Sequence, residues 1–106
     1  MSRRRVVITG VGAVSSLGLD LPTTWSNLLA GKSGAGAITR FDTAKHTCKF
    51  ACDVWDWQTE RFFEKKESKK LEKFTMYYLV AADEAWKAAG LDMDKEDRTL
   101  AGCIPG

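Results

Sequence analysis

Little in this sequence is in excess. It holds two prolines, one histidine and three cysteines in 106 residues, and 16 basic side chains nearly balance 14 acidic ones. Each scarcity excludes something. A formal charge of +2 leaves no whole-molecule field to attract nucleic acid, so any electrostatic message is local. The odd cysteine count (Cys48, Cys52 and Cys103) argues against a disulfide framework and suits reduced thiols. No apolar run approaches the roughly 18 residues of a membrane span. The apolar stretch behind Arg3, Arg4 and Arg5 is short and broken by glycine and serine, without the h-region and cleavage site of a secretory signal. A cytoplasmic protein is expected. At 44% hydrophobic and 28% charged, the composition is that of a soluble globular chain, long enough for one domain with a real core and too short for two. Internal repeats and low-complexity segments are missing as well.

What is present reads as alternating strand and helix. Val6, Val7 and Ile8 form a β-branched run of the kind buried on both faces in a parallel sheet. A turn over 9–18 leads to a short helix with Pro22 in its first turn, Trp25, Leu28 and Leu29 on one face, and Gly31 as its stop. The run "GKSGAGAITRFD" reads as a glycine-rich loop. Residues 47–54 alternate, Cys48, Phe50, Cys52 and Val54 against Thr47, Lys49, Ala51 and Asp53, as a half-buried edge strand does. A helical turn is expected around Glu60–Phe63.

The strongest pattern predicts a helix from about Lys66 to Ala89, with Leu71, Phe74, Tyr78, Ala81, Ala82, Ala85 and Ala89 stepping by three and four. Its alanine-rich second half invites close approach by another element, and Gly90 ends it. After the acidic "LDMDKED", the run "TLAGCIPG" begins like a further strand and stops. A β-α-β-α-β order implies a parallel sheet with more strands and helices than this, so the sequence reads as the beginning of a larger α/β protein.

The glycines of "TGVGAVSSLG" suggest a nucleotide loop but miss its templates. Gly10 and Gly12 fit a G-x-G-x-x-G fingerprint, but Ser15 stands where the third glycine belongs. The reductase variant wants glycine where Val14 and Ser16 stand. A tight turn between packed elements is favoured, no cofactor is expected, and a nucleotide-dependent reductase is the weakest reading. His46, Cys48 and Cys52 invite a metal site, yet thiols four apart on a strand are separated by roughly 13 Å and zinc needs four ligands. No metal is expected, and both cysteines read as small buried hydrophobes. Cys103 as a nucleophile would need the single histidine as its base, so it too is assigned to core.

One charge pattern stands out. Lys65, Lys66, Lys69, Lys70 and Lys73, set against Glu67 and Glu72, crowd what the periodicity makes the start of a long helix. The macrodipole disfavours cations there, and the pairs 65/69, 66/70 and 69/73 would be like-charged neighbours. A solvated face would explain the run, and so would a docking patch for an acidic partner.

The motifs "RRRVVITGVGAVSSLG", "TTWSNLLAGKSG", "ITRFDT", "KFA" and "KKESKKLEKF", in that order, resemble the start of the β-ketoacyl-[acyl-carrier-protein] synthases, closest to the type II elongating enzymes of bacterial fatty-acid synthesis. The resemblance runs along essentially the whole chain. It implies the α/β thiolase fold, with two similar halves in a layered αβαβα arrangement and a homodimer. Residues 1–106 would form part of the first half, with no second domain. Such enzymes carry an acyl group on a cysteine and condense it with malonyl held on acyl carrier protein, releasing carbon dioxide, while two histidines stabilise the developing oxyanions.

The resemblance places that cysteine and both histidines beyond Gly106. No catalytic residue is therefore assigned, and the chain alone is expected to be inactive. Cys103 aligns with a core strand, and Pro105 departs from the family's aliphatic residue there. Lys66, Lys69 and Lys70 match the basic positions that meet the acidic helix of acyl carrier protein, which makes them the candidate binding residues. The alternative is a non-catalytic module that docks an acidic carrier protein through the same lysines.

Overall fold

The computed structural model describes residues 3–106. Its elements run α1 (Leu21–Leu29), β1 (Ala35–Ala37), β2 (Phe50–Cys52), α2 (Thr59–Phe62), α3 (Lys65–Ser68) and α4 (Lys73–Ala89), followed by a 3-10 turn at Arg98–Leu100.

Local chemistry accounts for α1 almost completely. The Asp20 carboxylate accepts from the Thr23 amide at 2.7 Å, and the Pro22 ring occupies a first-turn position where no donor is missed. At the other end Gly31 takes φ +68°. The Lys32 amide then reaches the Asn27 carbonyl and the Gly31 amide the Leu28 carbonyl, both at 3.0 Å, which is a Schellman closure. Ahead of the helix a tight turn pairs Ser15 with Gly18. The Ser15 and Thr24 hydroxyls share a hydrogen bond at 2.9 Å, and Asn27 Nδ2 donates to the Leu17 carbonyl at 2.6 Å.

The glycines of the opening segment serve α4. A Cβ on Gly10 would collide with the Ala85 carbonyl and crowd Ala89, and one on Gly12 would collide with the Ala81 carbonyl. Two extended residues advance about 6.6 Å, and four helical residues about 6.0 Å. An extended chain running antiparallel to α4 therefore meets its small residues at every second position. The tight-packing reading of Gly10 and Gly12 and the close approach expected of the alanines are the same contact.

Glu84, from the middle of α4, locks that contact. Its carboxylate accepts from the Ala13 amide at 2.9 Å and from the Leu21 amide at 2.9 and 3.1 Å. Leu21 opens α1, so an anion sits against the positive end of that helix. With Thr23 held by Asp20 and no N–H on Pro22, the donors of the first turn up to Thr23 are all accounted for.

Several expectations are corrected. Val6, Val7 and Ile8 form no strand and are 89%, 69% and 85% exposed, since no neighbouring strand lies beside them. The 101–106 segment, with Cys103 and Pro105, is also unpaired and exposed. The sheet is instead antiparallel, β1 with β2, and β1 comes from the run read as loop. Ala35–Ala37 has little intrinsic preference for a strand, but Gly36 lies under the Trp55 ring, whose Nε1 donates to the Gly34 carbonyl at 2.8 Å. Trp55 thus covers the Gly36/Ala51 face; of the strand expected over 47–54 only Phe50–Cys52 forms, with Ala51 half-buried between an exposed Phe50 and Cys52.

Met76 is the one buried hydrophobic residue of the described chain, at 5% exposure, and Phe74 and Tyr78 stay open to solvent. The radius of gyration is 17.6 Å, against about 13 Å for a compact domain of 100 residues. The expected full core is therefore not assembled by these residues alone.

Two predictions follow from the α1 anchors. Hydrogen bonds from Thr23, with a smaller contribution from the charge of Arg61, hold the Asp20 carboxyl below its ordinary value. Its capping is present above the unfolded pKa near 3.9 and is lost as pH falls through the lower folded value. Protection of the Thr23 amide, relative to the unstructured exchange rate at the same pH, should therefore fall on strong acidification, and Asp20→Ala should abolish that dependence at a cost of about 1 kcal/mol near neutral pH. Glu84→Gln removes a charged acceptor worth about 1.5–3 kcal/mol. Exchange at Ala13 and Leu21 should accelerate by roughly 10- to 100-fold, as read by amide NMR, with α4 itself unchanged.

Candidate functional site: the lysine turn

The lysine run does not open a long helix. Lys65 and Lys66 lie on α3, which is four residues long; Lys69 caps it, Lys70 lies in the following turn, and Lys73 begins α4. Glu64 is extended before α3, and the Ser68 amide closes onto its carbonyl at 2.9 Å. Glu72, with φ −77° and ψ 154°, is extended again before α4. The expected helix from Lys66 to Ala89 is therefore broken at 69–72. A continuous helix would stack the 66/70 and 69/73 lysines on successive turns, and the break takes those two pairs out of register while Lys65 and Lys69 keep it across α3 and its cap. Only Lys73 remains in the first turn of α4.

All five lysines are exposed, and the ion pairs among the described residues lie elsewhere. Lys66, Lys69 and Lys70 are brought together on one short excursion of the chain between Phe63 and Leu71. Its elements have no buried residue of their own.

Beside it lies a cluster of residues the sequence did not single out. The Trp57 indole stacks on Phe62 at 5.1 Å and meets Tyr77 of α4 edge-on at 4.7 Å, and its Nε1 donates to Thr59 Oγ1 at 2.9 Å. Arg40 Nη2 donates to the Tyr77 hydroxyl at 3.2 Å and to Asp53 Oδ1 at 2.6 Å, and Arg40 Nε pairs with Asp53 Oδ2. The tyrosine and aspartate contacts hold the Arg40 guanidinium above its ordinary pKa. Aromatic spacing in "WDWQTERFF" was the available signal, but nothing local links it to Tyr77.

The cysteines are not core. Cys48, Cys52 and Cys103 are all exposed, because β2 turns its other face inward and the 101–106 segment has no covering element. Cys48 Sγ donates to the Phe50 carbonyl at 3.4 Å, and Cys103 Sγ lies 2.8 Å from the Tyr78 hydroxyl. That contact raises the Tyr78 phenol above its ordinary pKa. His46 packs edge-on against Phe41, with ring centroids 5.5 Å apart.

A groove of about 640 Å³ opens between the start of α1, α2 and α4, with Leu19, Phe62, Leu79 and Val80 in its walls. Its acids are already engaged: Asp20 caps α1, Asp83 pairs with Lys87 at 2.6 Å, and Glu84 holds Ala13 and Leu21. It offers no thiol, imidazole or free carboxylate for chemistry.

Comparison with known proteins places this arrangement. The chain superposes on the ishigamide ketosynthase/chain length factor with a TM-score of 0.75 and 39% identity, covering 88% of this chain and 23% of that one. The fold is accordingly that of the thiolase-like ketosynthases, and the described residues form an α/β part of it. Residues 3–106 match the model of the β-ketoacyl synthase N-terminal domain, and the chain belongs to that family.

Among curated relatives, the 3-oxoacyl-[acyl-carrier-protein] synthase 2 of Staphylococcus aureus (strain COL) is 44% identical over 93% of this chain and 24% of its own length. The Synechocystis protein of the same name is 32% identical over 100% of this chain and 26% of its own. The chain thus spans about a quarter of the length of the curated relatives it matches. Among the described residues no helix is long and apolar enough to cross a membrane.

Proposed function

We propose that this chain is the N-terminal part of a 3-oxoacyl-[acyl-carrier-protein] synthase, in which Lys66, Lys69 and Lys70 form part of the surface that receives acyl carrier protein. The match over residues 3–106 to the ketosynthase N-terminal domain carries this reading. In the intact enzyme an acyl group held on a cysteine is joined to malonyl on the carrier protein, carbon dioxide leaves, and the chain grows in fatty-acid synthesis. The family's homodimer and a cytoplasmic location accompany the proposal.

Exposed ammonium groups free of internal carboxylates suit a transient, salt-sensitive encounter with an acidic partner. Their charge is available to the partner at no cost of breaking an ion pair. Lysine is also the fitting residue type: a flexible point charge tolerates small differences in approach, whereas arginine would fix one bidentate geometry.

Docking and chemistry are separable in this chain. A binding module needs only the lysine turn, and condensation needs a nucleophilic thiol with imidazoles about it. Cys48, Cys52 and Cys103 are all exposed, and the single histidine is engaged with Phe41. The purified chain incubated with acyl and malonyl carrier proteins should form no condensation product by mass spectrometry, and measurable product would overturn its inactivity. In the intact enzyme, charge reversal, Lys69→Glu with Lys70→Glu, should weaken acyl carrier protein binding roughly tenfold or more at low salt. The difference should shrink once the Debye length falls below about 10 Å. Unchanged affinity in a calorimetric titration would sink the docking reading.

A further inference from the structure

We infer that Tyr77 and Trp57 are positioning residues for the lysine turn: through an aromatic and hydrogen-bonded anchor, they fix the spacing in which Lys66, Lys69 and Lys70 are presented. The inference rests on the docking reading for its functional consequence. A helix of four residues cannot hold itself in water, and neither α2 nor α3 is longer. Something outside must hold this excursion.

The candidates are three contacts beside it, two of which meet at Tyr77 while the third joins Phe62 to Trp57. Asp53, just past β2, is tied by Arg40, whose Nη2 also donates to the Tyr77 hydroxyl at 3.2 Å. Trp57 lays its edge contact on the Tyr77 ring at 4.7 Å, and Phe62, closing α2, stacks on Trp57 at 5.1 Å. Lys73, where the excursion returns, lies one helical turn before Tyr77 on α4. The segment before the lysines is thus tied to Tyr77 through Phe62 and Trp57, the segment after them runs into the helix that carries Tyr77, and neither Trp57 nor Tyr77 carries charge to the partner.

Removing the anchor should leave every lysine in place and lower affinity by raising the ordering cost of docking. Trp57→Leu should weaken acyl carrier protein binding about three- to tenfold with an unaltered salt slope, since no charge is lost. Trp57→Phe, which keeps a ring for Tyr77, should recover most of it. In a Lys69→Gln/Lys70→Gln background the Trp57→Leu effect should fall below about twofold, because the groups being positioned are gone. Full additivity there would mean that Trp57 acts on the chain at large, and would overturn the inference.

Amide exchange tests the anchor without any carrier protein. Trp57→Leu, and to a lesser degree Tyr77→Phe, should accelerate exchange at Lys70 and Leu71, whose amides close onto Glu67 and Ser68. Thr24 and Ala30 of α1 serve as controls and should not change. Equal acceleration at the controls, or none at Lys70 and Leu71, overturns the anchor. If exchange responds as expected while the wild-type chain shows no lysine-dependent binding, the docking reading fails and the anchor stands.

Discussion

The close approach of the opening segment to α4 is the constraint on which the rest depends. Backbone meets backbone where Gly10 and Gly12 cross Ala81, Ala85 and Ala89, and no side chain larger than a methyl fits the line of contact. Packing of this kind has little apolar area and so little hydrophobic driving force of its own. Glu84 supplies what the small residues cannot. Its carboxylate, rooted in the same helix face, takes the Ala13 and Leu21 amides and so fixes the opening segment and α1 to α4. Asp20 then completes the first turn of α1, and Ser15, Thr24 and Asn27 close the turn ahead of it.

Elements specified by neighbours in sequence were legible in the sequence. Pro22 and Gly31 bound α1, and Gly90 at φ +67° stops α4, because first-turn prolines and left-handed glycines act over a few residues, although the Asp20 cap was not read. Elements specified by distant partners were not. Nothing within Ala35–Ala37 announces a strand; it becomes one because Trp55 settles over Gly36. Alternation at 47–54 gave the strand but not its inward face, which that same tryptophan decides. The cysteines followed that error to the surface. Val6 to Ile8 shows the limit from the other side: a run fit for a buried strand stays open where no strand lies beside it.

The lysine turn was visible as composition and hidden as shape. The apolar stepping begins at Leu71, and Ser68, Glu67 and Glu64 do not continue it backward. The structure breaks the expected helix at 69–72, between α3 and α4. α4 is left to hold the opening segment, and the turn is left to display charge. The Tyr77 junction, assembled from Arg40, Asp53 and Trp57, was beyond any local pattern.

The glycine–alanine contact also behaves as a vernier. An extended chain advances about 6.6 Å in two residues against about 6.0 Å for four residues of helix, so each repeat slips by roughly half an ångström. Two glycines against three alanines keep that slippage small compared with an atomic radius. A longer glycine track would fall out of step with the helix ridges and gain nothing. The motif therefore has a natural length, set by the ratio of two pitches, and beyond it the chain must change its means of attachment. It does so at Ala13, where hydrogen bonding to Glu84 takes over from close packing.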